Sequence, residues 1–461
     1  MEIIIKTVKQ YSYELDDSDL NDLLFIGEHY RNAKNYIFSR YSGINSIHLI
    51  LSERKIRDEW TKTEFYRQWK LPARYWKLAL TEAFDNIKSQ WSNIKKKIKQ
   101  TSLRNQNLSS VDRHYINYML KSNILYHKIL IRENFELVDK FKDKSLNLKR
   151  LNNLIIRLTR KFKNKIPYTI KPTFSIDTGL YRYHNGTINI TCARKGKRIP
   201  VKLTDSNVYD RTMIIKFNDK KIEIHCPLRT KIKKNKNTNI VGLDKGYKYL
   251  LATSENNFYG KNLNDYLSME TERLNLINQN RNRFYDLCRK HIELGNFDKA
   301  ENIQKYNLGK IKYNKNKKRY DEKVKSYINH SLNNFFENEK PKEVVMEQLD
   351  FISWDKRYPK GIKRKLSRWI KGYIKKRLEY KCNQNQIRFT YINPAYTSKV
   401  CSNCGKFGKR KNNIFECPSC GIFHADINAS KNILKRKYDK EINLYTPCKA
   451  VKSILENRII Q

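Results

Sequence analysis

The sequence predicts a multidomain α+β protein that combines a helical region, a small antiparallel β-unit and an α/β domain with an inserted metal-binding unit. Three observations predict this class. Apolar residues recur at helical spacing in the first third of the chain, short alternating runs follow between residues 168 and 227, and short apolar strands alternate with long helical segments from residue 239 onward. A chain of 461 residues is long enough for about three domains.

The chain up to about residue 165 is expected to be mostly helical. Residues 1–10 alternate apolar and polar side chains and predict a strand that joins the later β-unit, after which an acidic stretch, 14–22, opens the helical region. Aromatic residues recur there among Lys and Arg, and they could form a base-stacking surface or a helical core; we favour the core. These residues are Trp60, Tyr66, Trp69, Tyr75, Trp76, Phe84 and Trp91.

The β-unit is predicted by three short alternating runs, at 187–190, 213–217 and 221–224, which are separated by Asn-Gly and Asn-Asp-Lys turns. Residues 230–238 are polar and basic and predict a linker.

The α/β domain is predicted from residue 239 onward. Three short strands form a meander, two long helices follow with a turn at Gly295, and two further strands flank a densely basic segment. The strands are expected at 239–242, 249–254, 257–259, 343–346 and 387–392, the helices at 263–293 and 298–338, and the basic segment at 356–381.

The charge balance predicts a nucleic-acid partner. Ninety-five Lys and Arg against 46 Asp and Glu give a net charge of +49. Such self-repulsion calls for a polyanion, and nucleic acid is the usual one because neutralising its phosphates releases condensed counterions. An AT-rich gene would account for part of the Lys excess, but it would not account for the shortage of acids.

The sequence argues against a membrane or secreted protein. No run of about 18 apolar residues occurs, and residues 1–10 lack the apolar stretch of a signal peptide. We expect an intracellular protein, in the cytoplasm or nucleoid of a prokaryote or in the nucleus of a eukaryotic or virus-infected cell. Five of the nine cysteines are scattered singly, which is not a disulfide framework.

Two carboxylates follow apolar strands. Asp244 follows the run 240–243, and Glu347 follows 344–346. Burial would penalise such a carboxylate unless a metal ion or an ion pair compensates it. Phosphodiester hydrolysis by two Mg²⁺ ions needs carboxylates that converge in this way, although a strand-end carboxylate is also a common ion-pair or turn residue.

A third carboxylate, Asp426, is predicted in the first turn of a helix whose Ile427, Ile433 and Leu434 face the sheet. It could also be a helix-start residue that the helix dipole favours. His424 could be a further ligand or an acid, but a single His beside a metal site is more often structural.

Four cysteines have the spacing of a zinc site. Cys401, Cys404, Cys417 and Cys420 form two Cys-x-x-Cys pairs, which can hold one tetrahedral Zn²⁺. A redox dithiol is the competing interpretation, and two pairs at this separation favour the metal. Four protein ligands leave no open position, so we expect one structural zinc.

In this order, the motifs resemble the split RuvC domain of TnpB proteins, whose relatives are the Fanzor proteins and the type V CRISPR effectors. The resemblance covers about residues 239–436. It rests on Gly-Leu-Asp-Lys-Gly at 242–246, Val-Met-Glu-Gln-Leu at 345–349, Lys-Leu-Ser-Arg-Trp at 365–369, Asn-Pro-Ala-Tyr-Thr-Ser at 393–398, the four cysteines, and Ala-Asp-Ile-Asn-Ala at 425–429.

The resemblance implies an RNase H-like (RuvC) α/β nuclease domain with an inserted zinc ribbon, and an N-terminal β-barrel-like wedge interrupted by a helical recognition lobe. The family's catalytic, Mg²⁺-binding carboxylates fall on Asp244, Glu347 and Asp426. Lys245 departs from many relatives, with no expected consequence for metal binding. The expected domains are a wedge at 1–12 and 166–229, a recognition lobe at 13–165, a linker at 230–238, a RuvC domain at 239–400 and 421–438 with a hairpin inserted at 263–338, a zinc unit at 401–420 and a tail at 439–461.

The family's activity is RNA-guided cleavage of double-stranded DNA next to a short adjacent motif. It implies two catalytic Mg²⁺ ions, one structural Zn²⁺, a guide RNA from the transposon end, and a monomeric protein in a ribonucleoprotein. Two alternatives remain, a nuclease-weak RNA-guided repressor and an unguided structure-selective RuvC-type nuclease. The three intact carboxylates argue against the first, and the long basic N-terminal region argues against the second.

The basic segment 356–381 is expected to hold a nucleic-acid backbone. It contains 12 Lys or Arg and one acid, Glu379, and its apolar residues recur at three- and four-residue steps, so one helical stripe would pack on the sheet. A solvated charged face is the alternative. The expected contacts are Lys363, Arg364, Arg368, Lys371 and Lys375.

Overall fold

The computed structural model describes residues 3–460 except 143, 164, 195, 232–234, 247 and 350–371. Its contacts divide the chain into two compact units, Ile5–Thr230 and Lys231–Gln461, with Met1–Ile4 counted in the second. No helix of the described ranges is both long and apolar enough to cross a bilayer.

The first unit contains seven helices and two antiparallel sheets among its described residues. The four-stranded sheet has the order β1-β7-β6-β2, and the three-stranded sheet has the order β3-β4-β5. The N-terminal strand β1 therefore joins the β-unit, as the sequence predicted. The strands are β1 (Ile3–Tyr11), β2 (Phe174–Ile176), β3 (Tyr181–His184), β4 (Thr187–Thr191), β5 (Arg198–Lys202), β6 (Met213–Asn218) and β7 (Lys221–Lys231).

The helices of the first unit lie between β1 and β2 in the chain and share one core with the two sheets. The recurring aromatic residues of this region belong to that core: Trp60, Trp69, Trp76 and Trp91 are buried, so the core interpretation is confirmed. The helices are α1 (Asp17–Tyr41), α2 (Glu53–Lys62), α3 (Ala73–Arg104), α4 (Ser110–Lys121), α5 (Asn123–Ile131), α6 (Asp139–Lys142) and α7 (Leu148–Phe162), with 3₁₀ turns at Ile44–Leu49 and Phe65–Trp69.

The second unit is built on a five-stranded mixed sheet of order β10-β9-β8-β11-β12. Strands β8, β11 and β12 are parallel, and β9 and β10 are antiparallel to their neighbours. Val241, Leu243, Val344 and Met346 are fully buried, which explains their unbroken apolar runs. The strands are β8 (Ile240–Asp244), β9 (Leu251–Thr253), β10 (Phe258–Tyr259), β11 (Glu343–Glu347) and β12 (Arg388–Ile392).

A helical hairpin is inserted between β10 and β11. Its first arm is α8 (Leu263–Glu293), as predicted, but the second predicted helix is interrupted. The structure has α9 (Phe297–Asn302), a π-helical turn (Ile303–Asn307) and then α10 (Ile311–Glu339). Asn307 and Gly309 are poor helix formers and lie at the break. The many lysines around them suggested one continuous polar helix, so the sequence analysis did not predict this break.

The remaining elements follow β11. Helix α11 (Lys375–Gln384) is the described end of the basic segment, and β13 (Lys409–Lys411), β14 (Ile414–Cys417) and β15 (Gly421–His424) form a small antiparallel sheet. Helix α12 (Ala425–Arg436) follows it directly. The segment expected as a tail contains a further helix, α13 (Cys448–Ile460), whose Val451 and Leu455 are buried with Val400 and Ile442.

Candidate functional site

The strand register brings the first two carboxylates together. Leu243 of β8 pairs with Met346 of β11 in the parallel ladder, so the next residues, Asp244 and Glu347, lie side by side where both strands end. Parallel strands present their carboxyl ends at one edge of the sheet, which explains how residues about 100 positions apart become neighbours.

Helix α12 brings the third carboxylate to the same edge. Its backbone crosses β8 so closely that a Cβ added to Gly242 would overlap the carbonyl of Ser430 and lie 2.9 Å from the backbone nitrogen of Leu434. Asp426, in the first turn of α12, therefore lies near Asp244. Glycine at 242 is required for this approach, which is a reason for Gly-Leu-Asp that the sequence analysis did not give.

The electrostatics of this edge show crowded negative charge. Partial burial, together with the charges of Glu347 and Asp426, raises the pKa of Asp244 to about 8. Burial also raises the pKa of Glu347, although the hydroxyl of Thr397 and the charge of Lys245 oppose the rise. Two neighbouring carboxylates with raised pKa values mark this edge as a candidate functional site.

Two residues that the sequence analysis did not assign contact the carboxylates. The Thr397 hydroxyl donates a hydrogen bond to Oε1 of Glu347. Arg410 of β13 donates to Asp426 at 2.6 Å. Thr397 lies in the Asn-Pro-Ala-Tyr-Thr-Ser motif, which was a usable signal, whereas nothing in the local sequence marks Arg410.

Lys245 and Lys375 also belong to this edge. Burial and the positive charge of Lys375 lower the pKa of Lys245 to about 8, while the charges of Glu347 and Asp244 oppose that shift. The ammonium of Lys375 lies 4.6 Å from the ring centre of Tyr391. Lys375 therefore lies close to Lys245, and its expected contact with a nucleic-acid backbone stays a prediction. The other expected contacts, Lys363, Arg364, Arg368 and Lys371, lie outside the described residues.

Among the described residues, His424 contacts a helix end and an aromatic ring, which gives it a structural role. Its Nδ1 accepts a hydrogen bond of 3.3 Å from the backbone N–H of Asp426 and so caps α12. Its ring packs against Phe258, with ring centres 4.6 Å apart. Burial lowers its pKa, which favours the neutral ring that can accept this bond.

The four cysteines are gathered at the end of the small sheet. One sulfur atom from each of Cys401, Cys404, Cys417 and Cys420 lies within 4.8 Å of the others, and among the described residues this is the one group of three or more potential ligands so close together. The cysteine set can therefore hold one ion as it stands, whereas Asp426 is bound to Arg410.

Buried amides connect the cysteine cluster to α12. The side chain of Asn428 accepts from the backbone N–H of Ser402 at 2.7 Å and donates to the carbonyl of Val400 at 2.8 Å. Asn432 donates to the carbonyls of Val400 and Thr397 at 2.8 and 2.9 Å. The segment that enters the cluster is thus fixed to the helix that carries Asp426, and Thr397 is fixed with it.

Parts of the chain are similar in sequence to known proteins. Residues 372–433 match the family described as Cas12f1-like, TNB domain. A TnpB-like protein of Methanocaldococcus jannaschii is 31% identical over 179 residues, which are 36% of this chain and 62% of that protein. A TnpB-like protein of Acanthamoeba polyphaga mimivirus is 35% identical over 107 residues, or 20% of each chain.

A third relative is the CRISPR-associated endodeoxyribonuclease Cas12f1 of Sulfoacidibacillus thermotolerans, which is 37% identical over 81 residues, 17% of this chain and 19% of that protein. The alignments thus span less than two thirds of each relative. The motifs and these relatives together lead to one conclusion: the chain is similar to TnpB-like proteins and to Cas12f1.

Proposed function

We propose that this protein is an RNA-guided, Mg²⁺-dependent DNA endonuclease whose active site consists of Asp244, Glu347 and Asp426. The observation that supports it is the convergence of these three carboxylates at one sheet edge, with raised pKa values for Asp244 and Glu347. Neighbouring acids whose ionisation is disfavoured, as the raised pKa values indicate, are typical of functional sites.

The architecture supports a nuclease of the RNase H-like, RuvC type. The sheet is a three-stranded meander followed by two parallel strands. The carboxylates lie at the ends of its first and fourth strands in chain order and on a helix packed against it. We further assign the β-rich part of the first unit to a barrel-like wedge and its helices to a recognition lobe.

The residues at the sheet edge suit Mg²⁺. Mg²⁺ prefers carboxylate oxygens, and a cation would offset the charge that now raises the pKa of Asp244. Two Mg²⁺ ions, when bound, activate a water molecule and stabilise the leaving oxygen of a phosphodiester. For Asp426 to be a ligand, its carboxylate has to turn away from Arg410.

The other residues of the edge have roles of their own. Thr397 holds Glu347 in one orientation, and Lys245 and Arg410 supply positive charge where a phosphate would lie. The cysteine cluster suits one structural Zn²⁺, since its four sulfur atoms satisfy tetrahedral coordination without an open position.

The proposed partners are a guide RNA and double-stranded DNA, cut next to a short adjacent motif by a monomeric protein. The net charge of +49 supports a large polyanionic partner. The Sulfoacidibacillus relative is an endodeoxyribonuclease, which supports DNA as the substrate.

The first test is cleavage by single variants. Asp244→Ala, Glu347→Ala and Asp426→Ala should each lower the cutting rate by at least about 100-fold and leave RNA binding within about twofold, because each removes a Mg²⁺ ligand. Glu416→Ala, which removes an exposed carboxylate of β14, is the matched control and should cut normally. A rate near wild type in any of the three would contradict the assignment of that residue.

The second test is sequencing of RNA that copurifies with the protein. A defined RNA, required for cutting, supports guidance. Cutting without any RNA would favour an unguided nuclease, and RNA-dependent DNA binding without cutting would favour a repressor.

A further inference from the structure

The far end of the inserted hairpin has a small core of its own. Cys288 of α8 is buried with Ala300 of α9 and Leu308, and Phe284 and Ile303 pack against them. The sulfur of Cys288 donates to the carbonyl of Ala300 at 3.6 Å. This end therefore has apolar contacts of its own, in a cluster distinct from the core of the sheet.

An arginine fixes the break that precedes α10. Arg281 donates to the carbonyls of Leu308 and Gly309 at 2.7 and 3.1 Å, and its guanidinium lies 5.5 Å from the ring centre of Tyr313. These bonds satisfy carbonyls that the interrupted helix leaves without partners. The side chains around the break are thus held on an ordered backbone.

Large apolar side chains nevertheless remain exposed there. Tyr306 is 72% exposed and Phe297 is 67% exposed, although a core for apolar groups lies beside them. The ammonium of Lys305 lies 5.3 Å from the ring centre of Tyr306. Aromatic rings held in water on an ordered surface indicate a binding partner that uses their faces.

The segment that carries Tyr306 has charges of one sign, whereas Phe297 lies beside Asp298 and Glu301. Residues 302–320 contain seven Lys or Arg and no Asp or Glu, and Lys305, Lys310 and Lys318 are exposed. Rings that stack bases among cations that neutralise phosphates are the means by which proteins hold single-stranded nucleic acid without regard to sequence. An apolar protein partner would use the rings but would not need seven cations.

We propose that the hairpin end, defined by Phe297, Lys305, Tyr306, Lys310 and Lys318, is a binding site for single-stranded nucleic acid. Bases stack on Tyr306 and Phe297, and the lysines contact the phosphates. This inference goes beyond the proposed cleavage, because it concerns binding by a surface separate from the carboxylates and can be tested in a chain that cannot cut.

The stacking test uses full-length Asp244→Ala protein and fluorescence anisotropy with a 20-nucleotide uridine RNA, the matching thymidine DNA and a duplex DNA. Tyr306→Ala should weaken binding of the single strands about tenfold and change duplex binding by less than about twofold. The matched control is Tyr13→Ala, since Tyr13 is 52% exposed with the ammonium of Lys202 5.6 Å from its ring centre. It should leave binding unchanged.

The charge test compares two triple variants across a salt titration. Replacing Lys305, Lys310 and Lys318 with Gln should lower the log–log salt slope by about 2, at roughly 0.7 per phosphate contact. The same change at three exposed lysines of the first unit should lower it less; these are Lys55, Lys62 and Lys70.

Several results would overturn the site. They are equal losses in the test and control variants, equal losses for duplex and single strands, or displacement of the RNA by poly-glutamate as effectively as by RNA, which would indicate an acidic protein partner. If the site binds one of the two single strands more tightly, this shows only whether its ligand is RNA or DNA. DNA cutting is measured separately, in the chain with Asp244 intact. Loss of the proposed single-strand site would therefore not contradict the proposed nuclease activity, and loss of the nuclease activity would not contradict the site.

Discussion

Thr397 shows how one hydroxyl can control a carboxylate. Its Oγ1 lies within hydrogen-bonding distance of Oε1 of Glu347 and is 3.1 Å from the carbonyl of Pro394, while its own carbonyl accepts from Asn432. Its hydrogen bond favours the charged form of Glu347, which is the form that binds a metal ion.

We therefore expect Thr397→Val to raise the pKa of Glu347 further and to increase the Mg²⁺ concentration needed for half-maximal cutting by about 10-fold or more, in the range found for residues that orient metal ligands. Thr397→Ser keeps the hydroxyl and should behave like the wild type. The measurement is the cutting rate against Mg²⁺ concentration, with melting temperatures as the control for folding. Equal Mg²⁺ dependence in all three proteins would show that this hydrogen bond has no such role.

At the scale of elements, the crossing of α12 over β8 determines where Asp426 lies. In Gly242→Ala, the added Cβ would meet backbone atoms of Ser430 and Leu434, which cannot move as a flexible side chain could. We expect a loss of about 1–3 kcal/mol of stability from overpacking, and a larger loss of cutting, because displacement of a catalytic group by about 1 Å can cost about 100-fold.

Chemical denaturation and cutting rates measure these two effects separately. Gly43→Ala is the control, since a Cβ there would meet nothing within 4 Å. A Gly242→Ala protein that cuts at the wild-type rate would show that the approach of α12 does not set the geometry.

The cysteine cluster gives a second prediction at this scale. Cys404→Ser should lower zinc content below the expected value of about one ion per chain and reduce stability and cutting together, because the ion supplies folding energy to a unit whose own core is small. Cys448→Ser, at another exposed cysteine, should retain zinc and activity. Elemental analysis and thermal melting test this, and a metal-free variant with full activity would refute it.

The elements themselves could largely be predicted from the sequence. Short apolar runs bounded by polar residues marked β8, β11 and β12, and the carboxylates at two of their ends followed from that pattern. The partners of these carboxylates could not be predicted in the same way. Thr397 is 50 residues from Glu347 and Arg410 is 16 residues from Asp426, so their contacts depend on strand register and not on local spacing.

At the scale of the whole molecule, the two units have separate cores. In the described chain, the largest buried cluster runs from Leu15 to Cys226, and every other cluster uses residues from Ile240 onward. A unit whose core contains no residue from the rest of the chain should be able to fold alone.

We therefore expect residues 1–231, expressed alone, to be monomeric and to unfold cooperatively, and to retain part of the RNA binding of the full chain because this segment contains many of its cations. Circular dichroism during denaturation measures the first property, and a filter-binding assay measures the second. A fragment without a cooperative transition would show that its core needs the rest of the chain.

The way in which the base of the inserted hairpin is held allows the length of the hairpin to change. Glu339, the last residue of α10, accepts hydrogen bonds from Thr253, Asn257 and Tyr259 at 3.2, 2.9 and 3.0 Å, so the hairpin is anchored on the same strands from which it departs. One added turn in each arm would extend its reach by about 5.4 Å and leave the catalytic edge of the sheet untouched. The hairpin is thus an adjustable spacer, whose length can follow the dimensions of a bound nucleic acid while the chemistry stays constant.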